Sequence, residues 1–188
     1  IGMQYASGDY LTFVDADDAI APEMVEKLLA GSLRWKADVS ECQQIELMEG
    51  EGIPLQKSSG ELAQLYAIET EEERKAFFLS NAWACGPVRR LYRRDFLERF
   101  RICFLEQIYM EDMYFTYLVL THVKVWYRVA EPLYFYYQNP ESVMHSHERV
   151  NYYMDVFHVF EKTVAEIIGR GMFGALRDEL EYIFFRKV

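Results

Sequence analysis

Three carboxylates crowd the end of one short apolar run. In Gly8-Asp9-Tyr10-Leu11-Thr12-Phe13-Val14-Asp15-Ala16-Asp17-Asp18, an aromatic and aliphatic segment stops abruptly at Asp15, Asp17 and Asp18. Like charges at this spacing repel, and the cluster becomes favourable when a cation sits among them. Magnesium and manganese prefer oxygen ligands, and when held by one or two carboxylates they leave their remaining positions to water and phosphate. The alternative for the same residues is an acidic turn that caps a helix. A second acidic pair, Glu111-Asp112, opens an apolar segment, where a helix dipole and a catalytic role account for it equally well. Arg89, Arg90, Arg93 and Arg94 stand among aromatic residues and could grip phosphate bidentately, or form a surface turn before a helix. His145 and His147, two residues apart, could both face one side of an extended segment, where either neutral imidazole could bind a metal; the alternative is a pair of merely exposed loop histidines.

These groups need a scaffold. Tyr10 to Val14 has the composition of a strand covered on both faces, entered through Gly8 after a helix end at 1–7. Pro22 and Glu23 open a helix that runs to Trp35, with Val25, Leu28, Leu29 and Leu33 at helical spacing. A strand starts at Ala37-Asp38-Val39, and the glycines of 50–60 make a loop. Thr70 and Glu73 form a capping box for a helix through Leu79. A helix over Asp95 to Phe100 follows, then a short strand at Ile102-Cys103-Phe104. The next helix has Phe115, Leu118, Val119 and His122 on its apolar face. Alternation predicts strands at 123–129 and 133–137, and two helices follow from Arg149, broken near Gly169-Arg170-Gly171. Tyr153, Val156, Phe157, Phe160 and Val164 read as a core stripe. With Phe184-Phe185-Arg186-Lys187, the same stripe also reads as a peripheral membrane contact.

The chain has 188 residues, 51% of them hydrophobic and 16% aromatic, which predicts a globular fold with a substantial core. No apolar run reaches the ~18 to 20 residues needed to span a bilayer. A net charge of -10 opposes a general nucleic-acid surface. Cys42, Cys85 and Cys103 are widely spaced and contain no CxxC pair, so neither a disulfide framework nor a zinc site is expected, and a cytoplasmic location fits. The absence of an initiator Met and a start inside an ongoing element read as a fragment.

The order of these signals resembles the family 2 glycosyltransferases, nucleotide-sugar-dependent enzymes of the GT-A fold common in bacterial surface polysaccharide synthesis. The resemblance is carried by Ala6-Ser7-Gly8-Asp9-Tyr10 leading into Phe13 to Asp18, then Pro22-Glu23-Met24 and Trp83. It continues through Leu91-Tyr92-Arg93-Arg94, Glu111-Asp112 with Phe115, Pro132-Leu133-Tyr134, and Ser142 before the histidines. It implies an α/β fold: a partial GT-A mixed sheet with flanking helices over 1–147, and a helical extension over 148–188. It also implies that Asp15 and Asp17 are the D-x-D pair, with Asp17 holding the Mn2+ or Mg2+ that bridges the diphosphate of a nucleoside-diphosphate sugar. Asp112, with Glu111 beside it, matches the catalytic base of inverting members. His145 matches a residue that contacts metal or diphosphate in some relatives, although His147 is equally available. Arg93 and Arg94 are then candidate donor-phosphate contacts, and the acceptor is a saccharide or lipid-linked saccharide, at the inner face of the membrane where the contact is peripheral. The family's N-terminal nucleotide-binding half has no match here, so an exposed sheet edge and homo-oligomerisation are expected. Two rivals stand beside this reading. An aspartyl-nucleophile phosphatase would need a Thr or Gly soon after the acids, where Ala19-Ile20-Ala21 stands. A non-catalytic module would lack metal-dependent nucleotide binding.

Overall fold

The computed structural model describes residues 2–48, 51–53, 62–80, 82–138 and 149–187, except for the side chains of 149–153 and 184–187. The chain divides into two compact units. The first comprises Ile1–Ala67, Pro87–Arg99 and Lys124–His145, and is built on a six-stranded mixed sheet. Its elements are α1 (Gly2–Tyr5), β1 (Tyr10–Thr12), β2 (Ala19–Ile20), α2 (Met24–Trp35), β3 (Val39–Met48), β4 (Gln64–Ala67), β5 (Arg90–Arg93), α4 (Arg94–Arg99) and β6 (Val125–Gln138). The strand order is β1-β5-β3-β6-β2, with β4 also paired to β6. Only β3 and β6 run parallel, and the other pairings are antiparallel.

The centre of this unit is where β3 and β6 lie under α2. Met24 and Leu28 of α2 are fully buried with Cys42, Leu133, Tyr134 and Phe135. Burial of each such aliphatic side chain contributes on the order of 2 kcal/mol. Contact is close because α2 has no side chain at Gly31: a Cβ there would lie 2.2 Å from the Tyr127 ring. At the next residue, the Ser32 and Ser40 hydroxyls pair at 2.7 Å, and Ser40 donates to the Leu28 carbonyl. The helix ends as its composition predicts, at Trp35, with Lys36 in the left-handed conformation. Its first residue is Met24, with Glu23 at the cap, so Pro22 lies in the turn before it.

β1 differs from its expected form. It is three residues long, only Leu11 is buried, and Val14 is 43% exposed. Among the described residues β5 is its one strand neighbour, and the exposure of Val14 shows that the segment is not covered on both faces. After Thr12, whose hydroxyl donates to the Arg90 carbonyl, the chain leaves the sheet and carries the acids out.

The second unit, Ile68–Gly86, Phe100–Val123 and Ser146–Val188, is helical. It contains α3 (Glu71–Leu79), α5 (Glu111–His122), α6 (Arg149–Gly169) and α7 (Phe173–Lys187). α3 starts with the predicted capping box: the Thr70 hydroxyl accepts from the Glu73 N–H, and the Glu73 carboxylate accepts from the Thr70 N–H. α5 is buried at every position from Met113 to Thr121, which makes it a central helix rather than an amphipathic one. Ile102 to Phe104 forms no strand. Ile102 is buried as a single side chain and Phe104 stacks on Phe115 at 4.3 Å, so these residues fill the core without a ladder. On α6 the buried line is Val156, Val159, Thr163 and Ile167, while Phe157 is 53% exposed. The expected stripe is therefore rotated toward α5, which α6 contacts; α7 contacts α3 and α6. By these contacts the two C-terminal helices group with α3 and α5, whereas the sequence division at 147/148 sets them apart. No helix among the described residues is long and apolar enough to cross a membrane.

Candidate active site

The acidic stretch is a turn clamped to β6. The Asp18 N–H donates to the Asp15 carbonyl at 3.2 Å and closes the turn. Beyond it β2 pairs with β6, placing Ile20 opposite Tyr134, and the Ala21 N–H reaches the Leu133 carbonyl at 2.9 Å. The buried Tyr134 hydroxyl accepts from the Asp15 N–H at 3.2 Å and donates to Asp18 Oδ2 at 2.6 Å. The Tyr137 N–H donates to Asp18 Oδ1 at 3.0 Å. Asp18 is thus half-buried and engaged on both oxygens, whereas Asp15 and Asp17 are exposed. Burial, together with the hydrogen bond to Asp18, raises the Tyr134 hydroxyl well above its ordinary range, so it stays a donor at any working pH. Burial first, and then the charges of Asp18 and Asp17, also raise Tyr136.

The site suits a hard divalent ion in the type of its donors. Asp17 has no hydrogen-bond or ion-pair partner among the described residues, and an exposed carboxylate of this kind matches Mn2+ or Mg2+ that completes its shell with water and phosphate. No group of three or more His, Cys, Asp or Glu side chains converges among the described residues. His145 and His147 lie outside the described residues.

The arginine segment divides in two. Arg93 donates to Asp38 at 2.7 Å and to Asp95 at 2.5 Å, and Arg94 donates to the Ala6 carbonyl and faces Glu98 at 3.8 Å. The other two join a row across the sheet that sequence reasoning missed. Glu41 on β3 stands opposite Arg90 on β5 and Arg128 on β6. Arg90 Nε lies 2.8 Å from Glu41, with Arg128 at 3.6 Å and Arg89 at 3.7 Å. Glu41 and Arg90 are fully buried, and the Arg90 guanidinium lies over the Trp126 ring. Burial pushes the Cys42 thiol beside this row up to about 12, which leaves it unreactive.

In the second unit, Glu111 and Asp112 form the first turn of α5, both half-buried. The approach is strained: Gln107 and Met110 both have positive φ, at 57° and 64°, within four residues of the pair. Met110 provides no side-chain cap, and Asp112 Oδ1 accepts from the Met113 N–H at 2.9 Å. Gly86, at φ 113°, brings bare backbone alongside, since a Cβ there would lie 3.9 Å from Asp112 Oδ2. The acids are therefore at the predicted helix start, held by a backbone geometry that sequence spacing does not reveal.

A curled mixed sheet with helices packed on it, one of whose strands leads into an acidic turn, is the architecture of the GT-A class of glycosyltransferase fold, which the structural neighbours below share. The family model for glycosyl transferase family 2 matches residues 1–101, and the chain belongs to that family. The uncharacterized glycosyltransferase YibD of Escherichia coli K12 is 25% identical over 169 residues, covering 86% of this chain and 49% of the relative. The putative glycosyltransferase EpsH of Bacillus subtilis is 28% identical over 159 residues, covering 79% of this chain and 43% of the relative. The crystal structure of Staphylococcus aureus TarS with UDP-GlcNAc superposes with a TM-score of 0.64 at 20% identity, covering 88% of this chain and 44% of that one. That likeness establishes the fold. This chain spans less than half the length of each of these proteins. The family match ends before Asp112.

Proposed function

We propose that the full-length protein transfers a sugar from a nucleoside-diphosphate donor to an acceptor hydroxyl with inversion at the anomeric carbon. The observation that carries this reading is the braced turn: two exposed carboxylates, Asp15 and Asp17, held apart from the hydrogen-bonded Asp18 at the end of a sheet strand. Asp17, with Asp15, would hold Mn2+ or Mg2+, whose charge offsets the negative charge on a departing diphosphate. Asp112, with Glu111 beside it, takes the proton from the attacking hydroxyl. Arg94, with only Glu98 as a charged partner among the described residues, is the better placed of the two candidate phosphate contacts; Arg93 is committed to Asp38 and Asp95. His145 enters through the family resemblance alone. The same resemblance supports a saccharide or lipid-linked acceptor of surface polysaccharide synthesis, reached from the cytoplasm or the inner face of the membrane.

The test is a calorimetric titration of UDP with Mn2+ into the full-length protein and its Asp17→Ala variant. Binding that needs both the metal and Asp17 is expected. Absence of binding for UDP and then for GDP would favour the non-catalytic reading. Asp112→Asn is expected to lower transfer at least 100-fold while leaving Mn2+-dependent UDP binding in place. Loss of both together would remove Asp112 from the role of base.

A further inference from the structure

We propose that Tyr134 and Asp18 are positioning residues that hold the Asp15–Asp17 turn ready for its divalent ion, an inference that rests on the donor-site reading above. The three acids of the turn look equivalent in sequence, but their surroundings separate them. Asp18 accepts from the Tyr134 hydroxyl at 2.6 Å and from the Tyr137 N–H at 3.0 Å, so both of its oxygens are occupied by β6. The same Tyr134 hydroxyl accepts from the Asp15 N–H at 3.2 Å. One phenol therefore ties the backbone at the start of the turn to the side chain at its end.

The tie has a rigid anchor. Tyr134 is fully buried in the core with Ala21, Leu133 and Phe135, and its height in the sheet is set by pairing with Ile20. With both ends fixed, the only residues between them are Ala16 and Asp17, and the ordering cost of presenting Asp15 and Asp17 outward is met by folding rather than by ion binding. Asp18 adds its charge to the field of the turn without serving as a ligand. Groups that orient ligands in this way typically account for about 10 to 100-fold in metal affinity.

The experiment uses the full-length protein and Mn2+ as the probe, with free Mn2+ read by electron paramagnetic resonance, with and without UDP. Tyr134→Phe keeps the ring in the core and removes only the hydroxyl. It is expected to weaken Mn2+ binding about 10 to 100-fold and to speed amide exchange across residues 14–18. A purely structural role would lower the melting temperature while leaving Mn2+ affinity, measured well below melting, at the wild-type value; that result overturns the proposal. Asp18→Asn, at a half-buried position, supplies a second variant should Tyr134→Phe fold poorly. In the double variant the losses are expected to be less than multiplicative, because both changes act on the same Tyr134–Asp18 contact. Fully multiplicative losses would mean that the two side chains act separately and would also overturn it. Failure of the donor-site reading looks different: wild type and Asp17→Ala would bind Mn2+ equally weakly, and the proposal falls with it.

Discussion

His122, the last residue of α5, is under two opposing influences on its proton. A helix C-terminus favours the imidazolium. Burial opposes it, as does the Arg170 guanidinium, whose Nη1 lies 3.0 Å from Nε2, and together they push the imidazole down to about 4. Arg74 opposes the charge as well, while Glu166 and the hydrogen bond with Thr121 support it. The unfolded chain titrates near the ordinary histidine value of 6.5, so on acidification it takes up the proton first. The stability that this group contributes is complete above pH 6.5 and is lost as the pH falls from 6.5 to about 4. The melting temperature is expected to drop through that window, and His122→Gln to flatten the drop. Identical pH profiles for the two proteins would contradict this account. The sequence placed His122 on the apolar face of its helix. It could not show Arg170, which arrives from α6's C-terminal end 48 residues away.

At the scale of elements, the register of β5, β3 and β6 turns scattered charges into one row. Glu41 contacts Arg89, Arg90 and Arg128, and it is fully buried. Glu41→Ala removes a carboxylate paired with the fully buried Arg90 and is expected to cost about 3 to 5 kcal/mol in denaturant unfolding at neutral pH. A loss below about 1 kcal/mol, the size expected of an exposed pair, would mean that the row is solvated. The arginine segment itself was legible as a concentration of charge. Its partner was not, because Glu41 lies 49 residues from Arg90 and only strand pairing brings them together. The α3 cap lies at the other extreme, since Thr70 and Glu73 are three residues apart and the motif contains its own partner. Thr70→Ala is expected to cost about 1 kcal/mol, read as a shift in the unfolding midpoint.

For the whole molecule, the grouping of segments matters more than their order. α6 and α7 supply Val156, Val159, Thr163, Ile167, Leu176, Leu180 and Ile183 to the buried set of the second unit, alongside α3 and α5. A chain ending at residue 147 is therefore expected to lose the cooperative melting of that unit and to expose the apolar surface of α5, detectable as dye binding and aggregation. A soluble 1–147 chain with a sharp transition would instead support an independent C-terminal extension.

Local chemistry was determined by the sequence alone: the α3 cap, the end of α2 at Trp35, the break at 169–171, the helix start at Glu111 and the acidic stretch at the end of an apolar run. Each of these depends on residues within a turn or two of one another, so composition and spacing contain the whole cause. The family resemblance also comes from the sequence, through the order of such local signals. Tertiary structure decided which acid is exposed and which is held. Asp15 and Asp17 face solvent and Asp18 is bound because Tyr134 and Tyr137 come from 116 to 119 residues away. It also left Val14 exposed just beyond β1 and rotated the buried line of α6 from Phe157 toward Val159. These outcomes depend on strand register and helix packing, where the energy of a side chain is set by neighbours that its own stretch of chain does not specify.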